Sequence, residues 1–505
     1  VGSEMCIRDS VYIDENDDGV RNSMEEGIPN VTITVSNGDS TLTNASGYYL
    51  FNLEPNTYSV TERDPKGYTS TTFNTYVNIL ISADTTVVRN FGDVLEQSQE
   101  FVEIHISNTE RVLSVTTANL SEDNHHDQDI VLGTALDGGI GNMLVFHNEW
   151  ENSTTPIHEL FQADPSYRRD AGYNINAMVR LDLSGDWIPD IVTGLDVSTQ
   201  NNVQVWMTEA EGVLTNFPLY SFPTDGSNEV MDMKLADLDD DGNVDLVVGL
   251  KSPFGTIGGF EVFRGMGNGD FMPAQYIIEA CSETTVPLGE IWAVETGDID
   301  GDGDEDIIVG SHETPYQGYI DVYENLDYAT GNFAWAQRIQ AWGAVNDLKV
   351  LDMMADDSAH EDIVAALTMG DGIGHVMLWL NVEGDIGVVD TTGYFFLPEV
   401  RPVIPDDWVN ADGEALSLAV LYINNDLFPD LAYGTRDSAL YTGNVYVLPA
   451  YGTLPAHGTQ INTTESGEIV SISVADFNKD NKPDIVVGTR STATQGRLVA
   501  YFGRD

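Results

Sequence analysis

Six acidic side chains fall within nine residues, Asp298 to Asp306, of the stretch DIDGDGDEDIIVG. Carboxylates crowded this closely repel one another unless something positive sits among them. A hard divalent cation such as Ca2+ does so, taking about 6–8 oxygen ligands in a flexible cage. Alternate positions of a tight loop converge, so Asp298, Asp300 and Asp302 supply positions 1, 3 and 5. Asp304 offers its backbone carbonyl at position 7, and Asp306 closes the set at position 9. Gly303 stands where the loop must turn sharply, and glycine tolerates positive φ there. The chemistry this spacing predicts is cation binding.

The pattern recurs. DLDDDGNVDLVVG places Asp237, Asp239, Asp241, the carbonyl of Asn243, and Asp245 at the same phase. DFNKDNKPDIVVG does so with Asp476, Asn478, Asp480, the carbonyl of Lys482, and Asp484. DLSGDWIPDIVTG offers Asp182, Ser184, Asp186 and Asp190, with Trp187 where the glycine should be. YINNDLFPDLAYG keeps Asn424, Asp426 and Asp430 but has lost the first acid. Two lengthened copies, from Asn119 and Asp352, end at Asp129 and Asp362 and are expected to bind calcium poorly or not at all. A single acidic loop reads equally well as a solvated turn. Repetition at one phase, before one kind of apolar run, favours cages.

These loops need strands to hold them. Before each lies an alternating run such as EIWAVETGDI, and after it a β-branched run such as DIIVG. A Gly/Ser/Thr-rich turn and two further alternating segments follow. Period-2 alternation of β-branched and aromatic residues is the strand signal. Seven units of about four strands predict an all-β fold whose larger part is a seven-bladed β-propeller over residues 100–505. The last unit ends one strand short at Asp505, while EFVEIHIS, Glu100 to Ser107, is a spare. Residues 101–107 are therefore expected to pair with 497–503 and close the ring. The same strand supplied by a neighbouring molecule would build a filament.

Residues 11–92 lack the repeat. They open with VYIDENDDGVRNSMEEGIPNVTITV, in which Asp14, Asn16, Asp18, Val20 (carbonyl), Asn22 and Glu25 occupy positions 1, 3, 5, 7, 9 and 12 of a calcium loop. Its flanks read as strands, so the loop belongs to a small Ig-like β-sandwich and not to an EF-hand. Residues 93–99 read as a polar linker. Residues 1–10, VGSEMCIRDS, read as a non-native or artefactual leader and are left out of the fold.

The repeated loops followed by IVVG resemble the FG-GAP/VCBS repeats also found in integrin α-subunits. DENDDGVRNSMEEGIPNVTI, GYYLFNLEPNTYSV and NFG resemble the B-type (SdrD B-like) repeat of serine–aspartate-repeat adhesins, related to collagen-adhesin B domains. The resemblance implies calcium that stiffens blades and stalk, a partner bound at one face of the ring, and a bacterial surface.

Composition narrows the function. The chain has 505 residues, with 21 basic against 82 acidic, a net charge of −61. That argues against nucleic acid and against anionic membranes, and suits a very soluble protein, a salty environment or bound cations. No apolar run is long enough to span a membrane. Two cysteines, Cys6 and Cys281, exclude a disulfide framework. Nucleophile and metalloprotease motifs are absent, and the nine histidines are scattered. His125, His126 and His360, in the lengthened loops, offer a transition metal little. Trp187, Trp292 and Trp408 are candidates to stack on sugars or to pack between blades. The expectation is a non-enzymatic, adhesin-like, monomeric calcium protein with about four to six Ca2+ sites, presenting a rigid face to a protein or glycan. A module of a polysaccharide-lyase-type enzyme and a self-assembling filament subunit are the alternatives.

Overall fold

The structure is a computed structural model. It describes residues 6–504 apart from 15–20, 22–24, 26, 45, 64–67, 71, 83–85, 96–99, 121–126, 137, 153, 198–200, 210–211, 225–227, 253–257, 273–275, 280–288, 327–331, 342, 353–360, 370–373, 380, 382–413, 424–428, 438–441, 450–458, 462–466 and 493–494. Strands dominate, and one short 3-10 turn, Ile157–Glu159, is the helical element among the described residues. No helix there is long and apolar enough to cross a membrane. The chain divides into two compact bodies, meeting between Ser98 and Gln99.

The first body is a sandwich of two sheets. One carries Cys6–Ile13 between Tyr48–Asn52 and Phe91–Leu95, with Tyr68–Ser70 at its edge and Thr86–Val88 also paired to the first strand. The other runs Ser40–Leu42, Thr32–Val35, Asn56–Arg63, Thr75–Ile81. Alternation drives both: in Thr32–Val35 the inward Ile33 and Val35 are buried and the threonines between them exposed. Ile7, Val11, Ile33, Phe51, Val60 and Phe91 share the core.

Two expected boundaries move. Residues 6–10 do not stand apart from the fold: Cys6 to Ser10 pair with Asn52 to Tyr48, and Cys6 and Ile7 are fully buried. Their foreign-looking composition concealed a strand that continues directly into VYI. Residues 93–95 are not linker either, since the strand Phe91–Leu95 pairs with Tyr68–Ser70.

The second body is built from seven sheet repeats. Each of the seven final acids, Asp129, Asp190, Asp245, Asp306, Asp362, Asp430 and Asp484, opens the second strand of its repeat. Repeat four shows the plan: Glu290–Gly297, Asp306–His312, Tyr319–Asn325 and Phe333–Gln340 pair in order, all antiparallel. Repeat five has three strands among the described residues. Every first strand carries a register irregularity at one phase, from Val112/Ser114 through Ile291/Ala293 to Ile469/Ser471. First strands touch in succession, and that of repeat seven touches that of repeat one.

Repeats seven and one share one long strand, Glu100–Ala118. Its first half pairs with Gln495–Arg504 of repeat seven, with Phe101 opposite Gly503 and Ser107 opposite Leu498. Its second half pairs with Asp129–Ala135 of repeat one. One strand thus completes two sheets, and the last sheet keeps no open edge there.

Candidate metal centres

Four of the acidic loops are described throughout, and all four wrap around the position-1 carboxylate. Asp298 accepts from the backbone N–H of Gly301 (2.7 Å) and Gly303 (3.0 Å). Asp237 accepts from Gly242 at 3.0 Å. Asp476 accepts from Asp480 and Asn481, and Asp182 from Gly185, Asp186 and Trp187. Position 5 then holds position 7: Asp302 accepts from the N–H of Asp304, Asp241 from Asn243, Asp480 from Lys482 and Asp186 from Ile188, all at 2.8–3.0 Å. Position 6 is left-handed in every loop: φ is +84° at Gly242, +96° at Gly303, +64° at Asn481 and +73° at Trp187. Asparagine tolerates this conformation, whereas a bulky indole there is strained.

Position 9 has a second role that the sequence does not announce. Its oxygens are engaged by backbone within each repeat. In repeat four, Asp306 accepts from Ile299 N–H at position 2 (3.0 Å) and from Asn325 N–H, at the end of the third strand (2.9 Å). Asp129, Asp190, Asp245 and Asp484 repeat both bonds, with Leu120 and Asn148, Leu183 and Thr208, Leu238 and Gly265, and Phe477 and Gly503. Asp430 accepts from Ile423 N–H and Asp362 from Asn381 N–H. The final acid is therefore a clasp tying loop entrance to third strand, present even where the loop has lost its other acids. Burial pushes four of these carboxyls up, to about 8 in Asp306 and Asp484 and about 6 in Asp190 and Asp245. The two backbone donors oppose the rise and neighbouring loop acids add to it.

Two loops bring three carboxylates together, with ligand atoms within 4.8 Å of one another: Asp237, Asp239 and Asp241 in repeat three, and Asp298, Asp300 and Asp306 in repeat four. The gathered sets differ: the first takes the position-5 acid and leaves out Asp245, and the second takes the position-9 acid and leaves out Asp302. Asp237 Oδ1 and Asp239 Oδ1 are buried with no hydrogen-bond partner. Buried oxygens of this kind need a donor or a cation, so the residues fit calcium. No local motif announces the Arg264 guanidinium, which pairs with the other oxygen of Asp239. In the other two loops the polar groups bond internally: Ser184 donates to Asp182 at 3.4 Å and the Asn478 amide to Asp480 at 3.0 Å.

In the first body, Asp14 and Glu25, positions 1 and 12 of its loop, are buried. Asn16, Asp18, Val20 and Asn22 lie outside the described residues, as do Asn424, Asp426, His125, His126, His360 and Trp408. Asp93, assigned by sequence to the linker, is buried, and its carbonyl accepts from Asp14 N–H at 2.8 Å. Trp292 packs, stacked on His312 at 4.3 Å. Trp187 is 93% exposed.

Sandwich, repeats and loops together define a chain that joins an SdrD B-like domain to FG-GAP-like repeats. Residues 5–107 match the SdrD B-like domain, and residues 182–248 and 237–309 match the FG-GAP-like repeat. Two curated forms of serine-aspartate repeat-containing protein F from Staphylococcus epidermidis are each 38% identical over 98 residues. Those matches cover 18% of this chain and 6% of the relatives' length. Among solved structures, BBS1N in complex with ARL6DN is similar with a TM-score of 0.43 at 10% identity, over 79% of this chain and 96% of that one.

Proposed function

We propose that this chain is a calcium-stiffened, adhesin-like protein of the bacterial exterior, in which residues 100–505 form a seven-bladed propeller that presents a binding face. The orphaned oxygens of Asp237 and Asp239 beside Asp241 carry the calcium reading. The propeller reading is supported by first strands that touch in succession and by a strand shared between first and last repeats. Asp237, Asp239 and Asp241 would hold one ion, Asp298, Asp300 and Asp306 another, and Asp476, Asn478 and Asp480, whose loop takes the same turn, a third. A bound cation supplies the positive charge that lets the loops keep one conformation. A surface fixed in advance loses less entropy when a partner docks.

Trp187 is the anchor we assign to that face. It projects almost wholly into solvent from a left-handed backbone, and such strain gathers at binding sites. The ligand is a protein or a glycan; nucleic acid is disfavoured by the charge of −61. The test is calorimetric titration with Ca2+, followed by glycan and protein arrays with and without EGTA. Saturable binding of several ions and array signals lost in EGTA are expected. Absence of any calcium uptake sinks the reading.

A further inference from the structure

Three asparagines at or just past the ends of third strands do more than serve the clasp. Asn325 donates its side-chain amide to the carbonyl of Leu238, at position 2 of the acidic loop in the preceding repeat (2.9 Å). Asn381 does the same to Ile299 (2.6 Å), and Asn148 to Phe477 (2.9 Å) across the junction of repeats one and seven. Each amide also contacts its own repeat's chain at 3.3 Å, at Glu305, Glu361 and Gln128. All three are buried, at 2%, 5% and 9% exposure.

The loops they grip are 237–245, 298–306 and 476–484. These three have acids or amides at positions 1, 3 and 5. At the same point of the other repeats stand Thr208, Gly265, Pro449 and Gly503, none with an amide side chain. In the repeats before them the loops are the one with Trp187, the one lacking its first acid, and the two lengthened ones. Complete loop and latch therefore occur together, and incomplete loops go without.

Position 2 lies between the ligand positions 1 and 3. Its side chain is buried in the core shared with the next repeat: Leu238 beside Ile291 and Tyr323, Ile299 beside Ile363 and Trp379, Phe477 beside Phe146 and Phe161. A cation that fixes positions 1 and 3 fixes the carbonyl between them, which is the acceptor the latch needs. We propose that Asn148, Asn325 and Asn381 are positioning residues through which cation binding in one repeat tightens its junction with the next. The proposal rests on the calcium reading above. By linkage the coupling is reciprocal: loss of the latch must weaken the cation by the factor by which the cation strengthens the latch.

Repeats one and five give the cleanest test, because their own loops are the lengthened ones. Hydrogen exchange on the unaltered protein, with Ca2+ and with EGTA, reads the junctions directly. Removing calcium should speed exchange in 142–150 and 374–381 and leave 203–208 of repeat two unchanged. Asn148→Ala and Asn381→Ala should each weaken one class of Ca2+ site by about 2- to 10-fold, the worth of one buried hydrogen bond. Thr208→Ala, whose hydroxyl holds its own repeat's Pro189 carbonyl, should leave Ca2+ affinity unaltered. If the unaltered protein binds Ca2+ while exchange in 142–150 and 374–381 ignores it, the latch proposal is overturned and the calcium reading stands. If no Ca2+ binds, both fall. Should a variant fail to fold, the exchange experiment decides alone.

Discussion

Gly488 in the second strand of repeat seven lies directly beneath Val112 in the first strand of repeat one; a Cβ added to Gly488 would sit 2.3 Å from Val112 Cγ1. The relation is general. Gly133 meets Ile175, Gly194 meets Val230, Gly249 meets Ile291, Gly310 meets Val345 and Gly434 meets Ile469, each from one repeat to the next. Those partners are fully buried and β-branched, so they cannot swing aside. This is why the runs after the acidic loops end in glycine. Repeat five is the exception: Ala366 stands where the glycine belongs, and the next repeat answers with Ala415 in place of valine or isoleucine.

That exchange predicts the result of copying it. Gly488→Ala alone should overpack the junction of repeats seven and one and lower stability by about 1–3 kcal/mol. Gly488→Ala with Val112→Ala should recover part of the loss. Denaturant unfolding in Ca2+ measures both, and a double variant no better than the sum of its singles counts against the contact.

Much of this architecture was legible in the residues. Alternation and a final Asp at one phase located all seven second strands, and the unpaired EFVEIHIS located the strand shared by the two ends. The site was legible in part. A position-9 acid looks the same in sequence whether or not it accepts two backbone N–H bonds, so the clasps of Asp245 and Asp484 could not be read there. The latch asparagines act on a carbonyl 82 or 87 residues earlier or, at the closing junction, 329 later, and Arg264 reaches back 25 residues to Asp239. Contacts this far apart in the chain leave no local spacing to read.

Arg264 offers the loop of repeat three a positive charge of its own. A guanidinium on Asp239 competes with any ion bound by Asp237, Asp239 and Asp241. Arg264→Gln should therefore raise the Ca2+ affinity of one site, while lowering the melting temperature in EGTA, where Asp239 loses its counter-charge. Calorimetry and melting curves would show both; unchanged affinity means that the guanidinium and the ion do not share the site.

Trp187 should be dispensable for folding. Trp187→Gly places the residue suited to φ +73° at that position and removes a side chain that buries almost nothing. Stability should rise by about 0.5–1 kcal/mol while binding on the array falls. A loss of stability would place the indole in the packing, contrary to the surface role.

The shared strand should matter to solution state. Ile104 lies opposite Ala500 and packs against the core holding Val486 and Phe502. Ile104→Pro breaks that ladder and frees the edge of Gln495–Arg504. Sedimentation should show oligomers or aggregates in place of a monomer, and melting at lower temperature. A monomer of unaltered stability would mean that the pairing contributes nothing.

Where first strands meet, Asp232 of repeat three accepts N–H bonds from its neighbour Met233 and from Val294 of the next repeat, both at 2.8 Å. Burial raises its carboxyl to about 7, with Asp347 adding and Lys349 opposing. Lys234 and Lys349 both pair with Glu295 nearby, and Lys349 also reaches Asp347 at 3.0 Å. A carboxyl raised above its unfolded value of 3.8 binds its proton more tightly in the folded chain. Its contribution to stability is thus full below that value and is lost as pH climbs to about 7, at up to about 1.4 kcal/mol per pH unit. Asp232→Asn keeps the shape and removes the titration. The difference in stability between variant and parent, measured from pH 4 to pH 8 in saturating Ca2+, should shift steadily in the variant's favour as pH rises. The loop acids cancel in that difference. A difference independent of pH would show that Asp232 is ionised in the folded protein across the whole range.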